Sequence, residues 1–328
     1  MVHDSVVSCI GGTPLVRLSR LFPREGLSVL GKLELCNPGG SVKDRPARYI
    51  VESGLRDGTI TSCTHLVESS SGNLGIALAM VARVYGLRFT CVVDPKIASA
   101  NLAILRRLGA TVDMVQDRDD QGGYLKTRIR RVHELINRMP SSMWVNQYAN
   151  RKNWQAHFHG TAGEIITDVG EDLDALVVGV STSGTIMGLS RRLREVFPKL
   201  RVIGVDAVGS VIFGAPAGPR QLPGIGASRA PELLSLEEID EVIHVSDLES
   251  VHGCRDLALM EGIFAGGSSG AVVAAIRKLA SSFSAGSTVL TLLPDRGDRY
   301  LDLVYSDEWV AGLPPGQNAT SSAAIAGV

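Results

Sequence analysis

The chain has 328 residues, 45% of them hydrophobic and 20% charged, with 33 basic side chains against 34 acidic ones. This is the composition of a soluble globular protein long enough for two domains, and its balanced charge leaves no electrostatic footprint for nucleic acid or an anionic membrane surface. No apolar run approaches the ~20 residues that cross a bilayer, the start "MVHDSVVSCIGG" has no signal-peptide pattern, and five scattered cysteines without a CxxC pair suit a reducing cytoplasm and argue against a disulfide framework or a metal site.

The first informative stretch is "NPGGSVKDRP", Asn37 to Pro46. Lys43 stands just before a predicted helix start in which Pro46 falls in the first turn. An amine at the positive end of a helix dipole loses its proton more easily, which suits a nucleophile or base; a solvated lysine is the plain alternative. "HLVES" predicts a strand and "IALAMVARVYG" a helix, joined through "ESSSGNLG", Glu68 to Gly75. Three serines, a glycine and an asparagine at a helix start can bind a carboxylate, or they can be caps. "RFTCVVD", "ANLAILRRLG" and "TVDMVQ" follow as strand, helix and strand. Then "GGYLKTRIRRVHEL" supplies Lys126, Arg128, Arg130 and Arg131, which as a charge run are expected mostly to face solvent.

In the second half "DALVVGV" is a strand and "IMGLSRRLREVF" a helix, with "STSGT", Ser181 to Thr185, between them. Small residues admit an anion close to the backbone, and the helix start offers unpaired N–H groups and a favourable dipole. The loop is neither a Walker A sequence nor GxGxxG, so it is a phosphate cradle for something other than ATP or NAD, or a plain turn. "RVIGVDA", "EVIHVS" and "STVLTLLPD" are further strands, and "FAGGSSGA", Phe264 to Ala271, opens the helix "AVVAAIRKLA" with a serine that can bond a ligand or cap the helix. The strands are rich in Val, Ile and Leu throughout rather than alternating, as expected of parallel strands covered on both faces. Two such sets, divided near Asn150, predict two open parallel-sheet α/β domains of three layers each. Ligands of such sheets bind at the carboxyl ends of the strands, where the glycine-rich loops fall.

An activated lysine, a carboxylate loop, a phosphate cradle and a ring-directed serine are the parts needed to hold pyridoxal 5′-phosphate with an amino acid. "NPGGSVKDRPA", "SSGNLGIALA", "NQYAN", "STSGT", "PGIGA" and "GIFAGGSSGA" resemble the motifs of the cysteine synthase and cystathionine β-synthase family of fold-type II pyridoxal-phosphate enzymes, over roughly Gly12 to Leu303. The resemblance implies the tryptophan synthase β-like fold. It implies a larger cofactor-binding domain of residues 1–39 and 147–310 and a smaller mobile substrate-binding domain of residues 40–146; the small, polar composition of the chain's end predicts a disordered tail, 311–328. Lys43 matches the lysine that bonds the cofactor. Asn73 matches the asparagine on the ring hydroxyl, Ser181, Thr182, Ser183, Gly184 and Thr185 the phosphate cradle, and Ser268 the serine facing the pyridine nitrogen. Ser70, Ser71 and Gly72 match the loop on the substrate carboxylate, with Gln147 nearby. A neutral serine at the ring nitrogen makes a weaker electron sink than an aspartate would, which favours β-replacement over transamination, with Lys43 as the base.

Several positions depart from the cysteine synthases. "STSGT" replaces the usual "GTGGT", Tyr148 stands where phenylalanine is usual, and Arg229 where an apolar residue is common. With Arg128, these donors suit a phosphate leaving group. Together with "HDSVVSCIGGTPLV", "CVVDPKIASANL" and "PDRGDRYLDLVYSD", they resemble a subgroup in which O-phospho-L-serine is the donor and the amine of L-glutamate the nucleophile, on a route to L-2,3-diaminopropionate for siderophores or peptide antibiotics. In that reading Arg128, Tyr148 and Ser181 read the leaving phosphate and Arg229 the glutamate. A cysteine synthase using O-phosphoserine or O-acetylserine with sulfide is the alternative enzyme. A catalytically silent regulator is the alternative from another class, opposed by intact Lys43, Asn73 and Ser268. The family is usually homodimeric, and a cytoplasmic homodimer is the expectation.

Overall fold

The structure is a computed structural model that describes residues 2–23, 26–120, 122–170, 172–314 and 323–324. Of the expected disordered tail, residues 315–322 and 325–328 lie outside the described residues. The strands are β1 (Leu15–Arg17), β2 (Leu27–Lys32), β3 (His65–Ser69), β4 (Arg88–Val93), β5 (Thr111–Met114), β6 (Ser142–Trp144), β7 (Ala175–Gly179), β8 (Arg201–Ala207), β9 (Glu241–Val245), β10 (Ser287–Leu292) and β11 (Ala323–Ala324). The helices are α1 (Asp44–Asp57), α2 (Asn73–Val84), α3 (Ser99–Arg107), α4 (Leu125–Arg138), α5 (Lys152–Ala156), α6 (Ala162–Val169), α7 (Gly184–Val196), α8 (Asp247–Asp256), α9 (Gly267–Leu279) and α10 (Asp307–Ala311). π-helical turns follow α5, at His157–Thr161, and α8, at Leu257–Glu261.

The chain divides into two compact units, Met1–Ile10 with Asn37–Asn153 and Gly11–Cys36 with Trp154–Val328. The first holds a four-stranded parallel sheet, order β5-β4-β3-β6. β4 is buried from Phe89 to Val93 because α2 covers it with an apolar surface unbroken from Leu74 to Ala82. A helix apolar all round belongs inside, and each aliphatic side chain fully buried this way contributes about 1.5–3 kcal/mol.

The second unit holds a seven-stranded sheet, order β1-β2-β10-β7-β8-β9-β11. Its β2, β10, β7, β8 and β9 are parallel, and antiparallel β1 and β11 close the edges. Val29 faces Val289 in register, and Val177 faces Ile203. α9 lays Val272, Val273 and Ile276 on this sheet in one cluster with Val177, Ile203, Val205 and Val289. α8 crosses α9 at its closest where both carry glycine: a β-carbon on Gly270 would lie 1.9 Å from the Ser250 carbonyl oxygen. Lys32, at the end of β2, is fully buried, its ammonium bonded to the Thr13 carbonyl (2.7 Å), Glu164 (3.1 Å) and Asp168 (3.1 Å), so the charge is compensated as burial requires.

The two open α/β sheets match the expectation. The antiparallel edge β1 and its neighbour β2 do not follow from it: β1 is three residues long, and β2, "LSVLGK", mixes polar with apolar residues. The charge run after Tyr124 is α4, an amphipathic helix whose Val132 is fully buried. All five cysteines are free thiols, and among the described residues no helix is long and apolar enough to cross a membrane.

Candidate active site

In the first unit Asn37–Pro46 closes into a turn. Gly40 sits at φ +80°, a left-handed value that favours glycine, and its N–H donates to the Asn37 carbonyl at 2.8 Å. Gly39 N–H donates to Asp44 Oδ2 at 2.5 Å, and a β-carbon at Gly39 would stand 2.4 Å from Asp44 Oδ1. The turn delivers Lys43 to the N-cap of α1, where its carbonyl accepts from Ala47 N–H (3.1 Å) and its own side chain does not cap the helix. Lys43 is half-buried there, not a solvated surface side chain.

The loop after β3 begins α2 at Asn73, again without a side-chain cap from the N-cap residue, Gly72. Ser70 is buried, and its hydroxyl accepts from Gly75 N–H at 3.1 Å, so this one serine does take a capping part from within the loop. The Ser71 hydroxyl accepts from Arg128 Nη1 (2.9 Å), and Arg128 also pairs with Asp94 (3.3 Å). Arg128 therefore departs from the solvent-facing expectation: its side chain is 18% exposed and its buried Nε has no hydrogen-bond partner. Arg131 is half-buried too, tied to Asp113 and Glu134, whereas Lys126 and Arg130 are exposed.

"NQYAN" turns on Asn146, at φ +49°, whose carbonyl accepts from Ala149 and Asn150. Gln147 and Tyr148 are half-buried on this turn. Gln147 is held at both ends of its peptide: its N–H donates to Glu68 Oε2 (3.2 Å) and its carbonyl accepts from Asn153 Nδ2 (2.7 Å). Glu68 is a residue the sequence reading assigned no part. It is buried at the strand end, accepts further from Ser69 N–H (2.7 Å) and Trp144 Nε1 (3.2 Å), and burial pushes its carboxyl up to about 7.

In the second unit "STSGT" lies between β7 and α7. Ser183 is at φ 61°, ψ −9°, a left-handed conformation uncommon for a side-chain-bearing residue, and Gly184 begins the helix with no side-chain cap. Thr182, Ser183 and Gly184 are buried. The hydroxyls turn inward: Ser181 Oγ donates to the Gly226 carbonyl (3.2 Å), Ser183 Oγ to the Thr182 carbonyl (2.7 Å), and Thr185 Oγ1 bonds His157 Nε2 (3.2 Å). His157, fully buried on the π-helical turn, is bonded at Nδ1 to Thr161 (3.0 Å). "PGIGA" is pinned to the cradle from both sides, since Gly226 N–H donates to the Val180 carbonyl (2.8 Å) while its own carbonyl takes Ser181.

Ser268 is buried in the first turn of α9. That helix follows another helix, so its start reaches the carboxyl end of the sheet indirectly: Gly266 N–H donates to the Asp295 carbonyl (3.0 Å) beyond β10, and Ala265 bridges Arg296. The adjacent Ser269 Oγ is buried with no hydrogen-bond partner. Arg229 pairs with Glu232 of its own turn (2.8 Å). Arg220, nine residues earlier and unnoticed in sequence, donates to the neutral Ser228 hydroxyl (2.8 Å), and its buried Nε has no partner.

These residues fit the pyridoxal 5′-phosphate that the motifs imply. A buried helix start that its N-cap side chain leaves uncapped suits an anion, and the α7 start, with the left-handed Ser183 before it, is such a place. Lys43 would bond the group, Asn73 would meet its ring hydroxyl, Ser181–Thr185 its phosphate through the backbone, and Ser268 its pyridine nitrogen.

Comparison with known proteins points the same way. Residues 6–295 match the family model described as "Pyridoxal-phosphate dependent enzyme". A curated protein of Ralstonia nicotianae, N-(2-amino-2-carboxyethyl)-L-glutamate synthase, is 59% identical over 313 residues, covering 95% of this chain and 93% of that protein. Among solved structures, the O-acetylserine dependent cystathionine β-synthase of Helicobacter pylori is 36% identical with TM-score 0.86, covering 92% of this chain and 98% of that one. O-ureido-L-serine synthase is 32% identical with TM-score 0.86, covering 97% and 98%.

Proposed function

The chain belongs to the pyridoxal-phosphate dependent enzymes, and on that premise we propose that it is a β-replacement enzyme joining O-phospho-L-serine to the α-amine of L-glutamate. The products are N-(2-amino-2-carboxyethyl)-L-glutamate and phosphate. The observation that carries this reading is the 59% identity to the Ralstonia synthase along nearly the whole length of both chains; no solved relative above exceeds 36%.

When bound, pyridoxal 5′-phosphate supplies the electron sink that lets a proton leave the α-carbon of an amino acid and a leaving group depart from its β-carbon. The protein supplies everything else. Lys43, at the positive end of α1, takes the α-proton. Ser70–Gly72 and Gln147 grip the donor's carboxylate. Arg128 and Tyr148 hold the leaving phosphate, and Ser181 contributes through the cradle it ties to Gly226. Ser268 offers the pyridine nitrogen a neutral partner, which steers toward loss of the β-substituent. A cation of the "GPRQLPGIGASR" segment, Arg220 or Arg229, meets the second carboxylate of glutamate, whose desolvation must be compensated. Phosphate leaves before the amine attacks, so the kinetics are ping-pong. The product leads toward L-2,3-diaminopropionate, and the enzyme works as a cytoplasmic homodimer.

The test is to incubate the cofactor-loaded enzyme with O-phospho-L-serine and, separately, L-glutamate, L-aspartate or sulfide, and to identify products by mass. The glutamate adduct is expected. Cysteine formation with sulfide and no adduct with glutamate would make the protein a cysteine synthase instead.

A further inference from the structure

Glu68 lies at the meeting point of the two segments assigned to the substrate carboxylate. Its Oε1 accepts from Ser69 N–H (2.7 Å), the residue that opens the Ser70–Gly72 loop, and from Trp144 Nε1 (3.2 Å). Its Oε2 accepts from Gln147 N–H (3.2 Å). All three partners are donors that lack any acceptor function: two backbone amides and an indole. An ionised carboxylate satisfies them all, since it only accepts. A protonated acid carries an O–H that has no acceptor among the three and must displace one of them. An amide at this place would do the same.

We propose that ionised Glu68 is a positioning residue that keeps the Ser70–Gly72 loop and Gln147 in register for the substrate carboxylate, without itself exchanging protons with substrate. The inference rests on the function proposed above only in what it says about substrate; the geometry of the clamp is independent of it. The charged and titratable groups that face Glu68 are Arg128 of α4, with its ion partner Asp94, and the Cys91 thiol of β4. Burial pushes that thiol up to about 12, so it stays neutral. His133 of α4 stands edge-on to Trp144, 5.2 Å between ring centroids.

Burial places the Glu68 titration near neutrality, at about 7. The native protein thus holds this proton more tightly than the unfolded chain, where the carboxyl has the ordinary value of 4.5. Stability contributed by this group is present in full below about 4.5 and is lost as pH rises through about 7. The clamp's geometry runs the other way: it is complete above about 7, when the carboxylate is ionised, and loosens below.

Trp144 gives a readout that needs neither cofactor nor substrate. In a Trp154→Phe, Trp309→Phe, His133→Asn background, Trp144 fluorescence is expected to titrate near pH 7, and Glu68→Gln is expected to abolish that transition. With cofactor and substrates, Glu68→Gln is expected to raise KM for O-phospho-L-serine about tenfold, the effect of one lost hydrogen bond to a charged group, with kcat within about twofold. Glu68→Asp, too short to reach all three donors but still ionised, is expected to recover part of the KM and keeps the test open should Glu68→Gln not fold. A fluorescence transition unchanged in Glu68→Gln, or a loss confined to kcat, overturns the proposal. If the fluorescence result holds but O-phospho-L-serine is not a substrate, the assigned reaction is wrong and the clamp stands.

Discussion

Substituting Gly39 by alanine tests how the lysine turn is built. The added β-carbon would stand 2.4 Å from Asp44 Oδ1, 2.8 Å from Oδ2 and 2.9 Å from Cγ. Real contacts of this kind essentially never fall below 3.0 Å, so the carboxylate must retreat by about half an ångström. Asp44 is fully buried and cannot swing into solvent. Crowding of this kind costs about 1–3 kcal/mol, and breaking the Gly39 N–H bond to a charged acceptor adds about 1.5–3 kcal/mol. Gly39→Ala is therefore expected to destabilise the smaller unit by about 2.5–6 kcal/mol. Trp144 is the tryptophan of that unit, with Trp154 and Trp309 in the other, so urea unfolding followed in a Trp154→Phe, Trp309→Phe background reads it directly. The same variant should bind pyridoxal 5′-phosphate at least tenfold more weakly by visible absorbance, because the turn carries Lys43. A double-mutant cycle with Asp44→Ala sharpens the test: removing the carboxylate relieves the clash, so the combined cost must be less than the sum. Additive costs, or a Gly39→Ala protein with unchanged midpoint and cofactor affinity, refute the reasoning.

Lys43→Ala is expected to keep the fold by circular dichroism while turnover falls by about 10²–10⁴-fold or more and borohydride no longer traps the cofactor on the chain. Ser183→Gly, which relieves the left-handed backbone at φ 61°, should leave thermal stability unchanged or slightly higher, whereas Ser183→Ala, which keeps the strain and loses the bond to the Thr182 carbonyl, should lose about 1 kcal/mol in a denaturant titration. Arg220→Ala should raise KM for glutamate about tenfold, and Arg229→Ala less, because Arg229 must first give up Glu232; product assays across glutamate concentration compare the two.

The strands and the loops after them were legible because they obey local rules. Val, Ile and Leu runs such as β7 and β8 are buried along their length, and buried parallel strands have to be written that way. α4 was harder. Its charged residues read mostly as a solvated run, with Arg128 set apart only by the family resemblance, yet Arg128 reaches Ser71, 57 positions away in the chain, and Arg131 reaches Asp113. Nothing local marks which arginine of a helix turns inward, since that depends on where β4 and the β3 loop sit. Glu68 shows the same limit. A glutamate at the end of a strand is unremarkable until β6 brings Trp144 alongside it and the following turn presents Gln147.

The serines of the three loops separate the two kinds of legibility most clearly. Serine before a helix is ambiguous in sequence, since the same hydroxyl can cap the helix or leave its N–H groups for a ligand. Where the fold needs only a helix it uses the serine: Ser246 makes a full capping box at α8 with Glu249, and Ser306 caps α10. At α7 the serine hydroxyls turn to backbone carbonyls and the buried first turn has no side-chain cap, and at α9 the N-cap is a glycine that cannot cap by side chain. A buried helix start left this way is costly without an anion or a polar ligand to complete it. The sequence pattern that separates the two uses is the company the serine keeps. Both capping serines are followed by acidic residues within the first turn, "SDLE" at α8 and "SDEW" at α10, whereas the site loops "STSGT" and "AGGSSG" contain no acidic residue that would compete with the phosphate for those N–H groups.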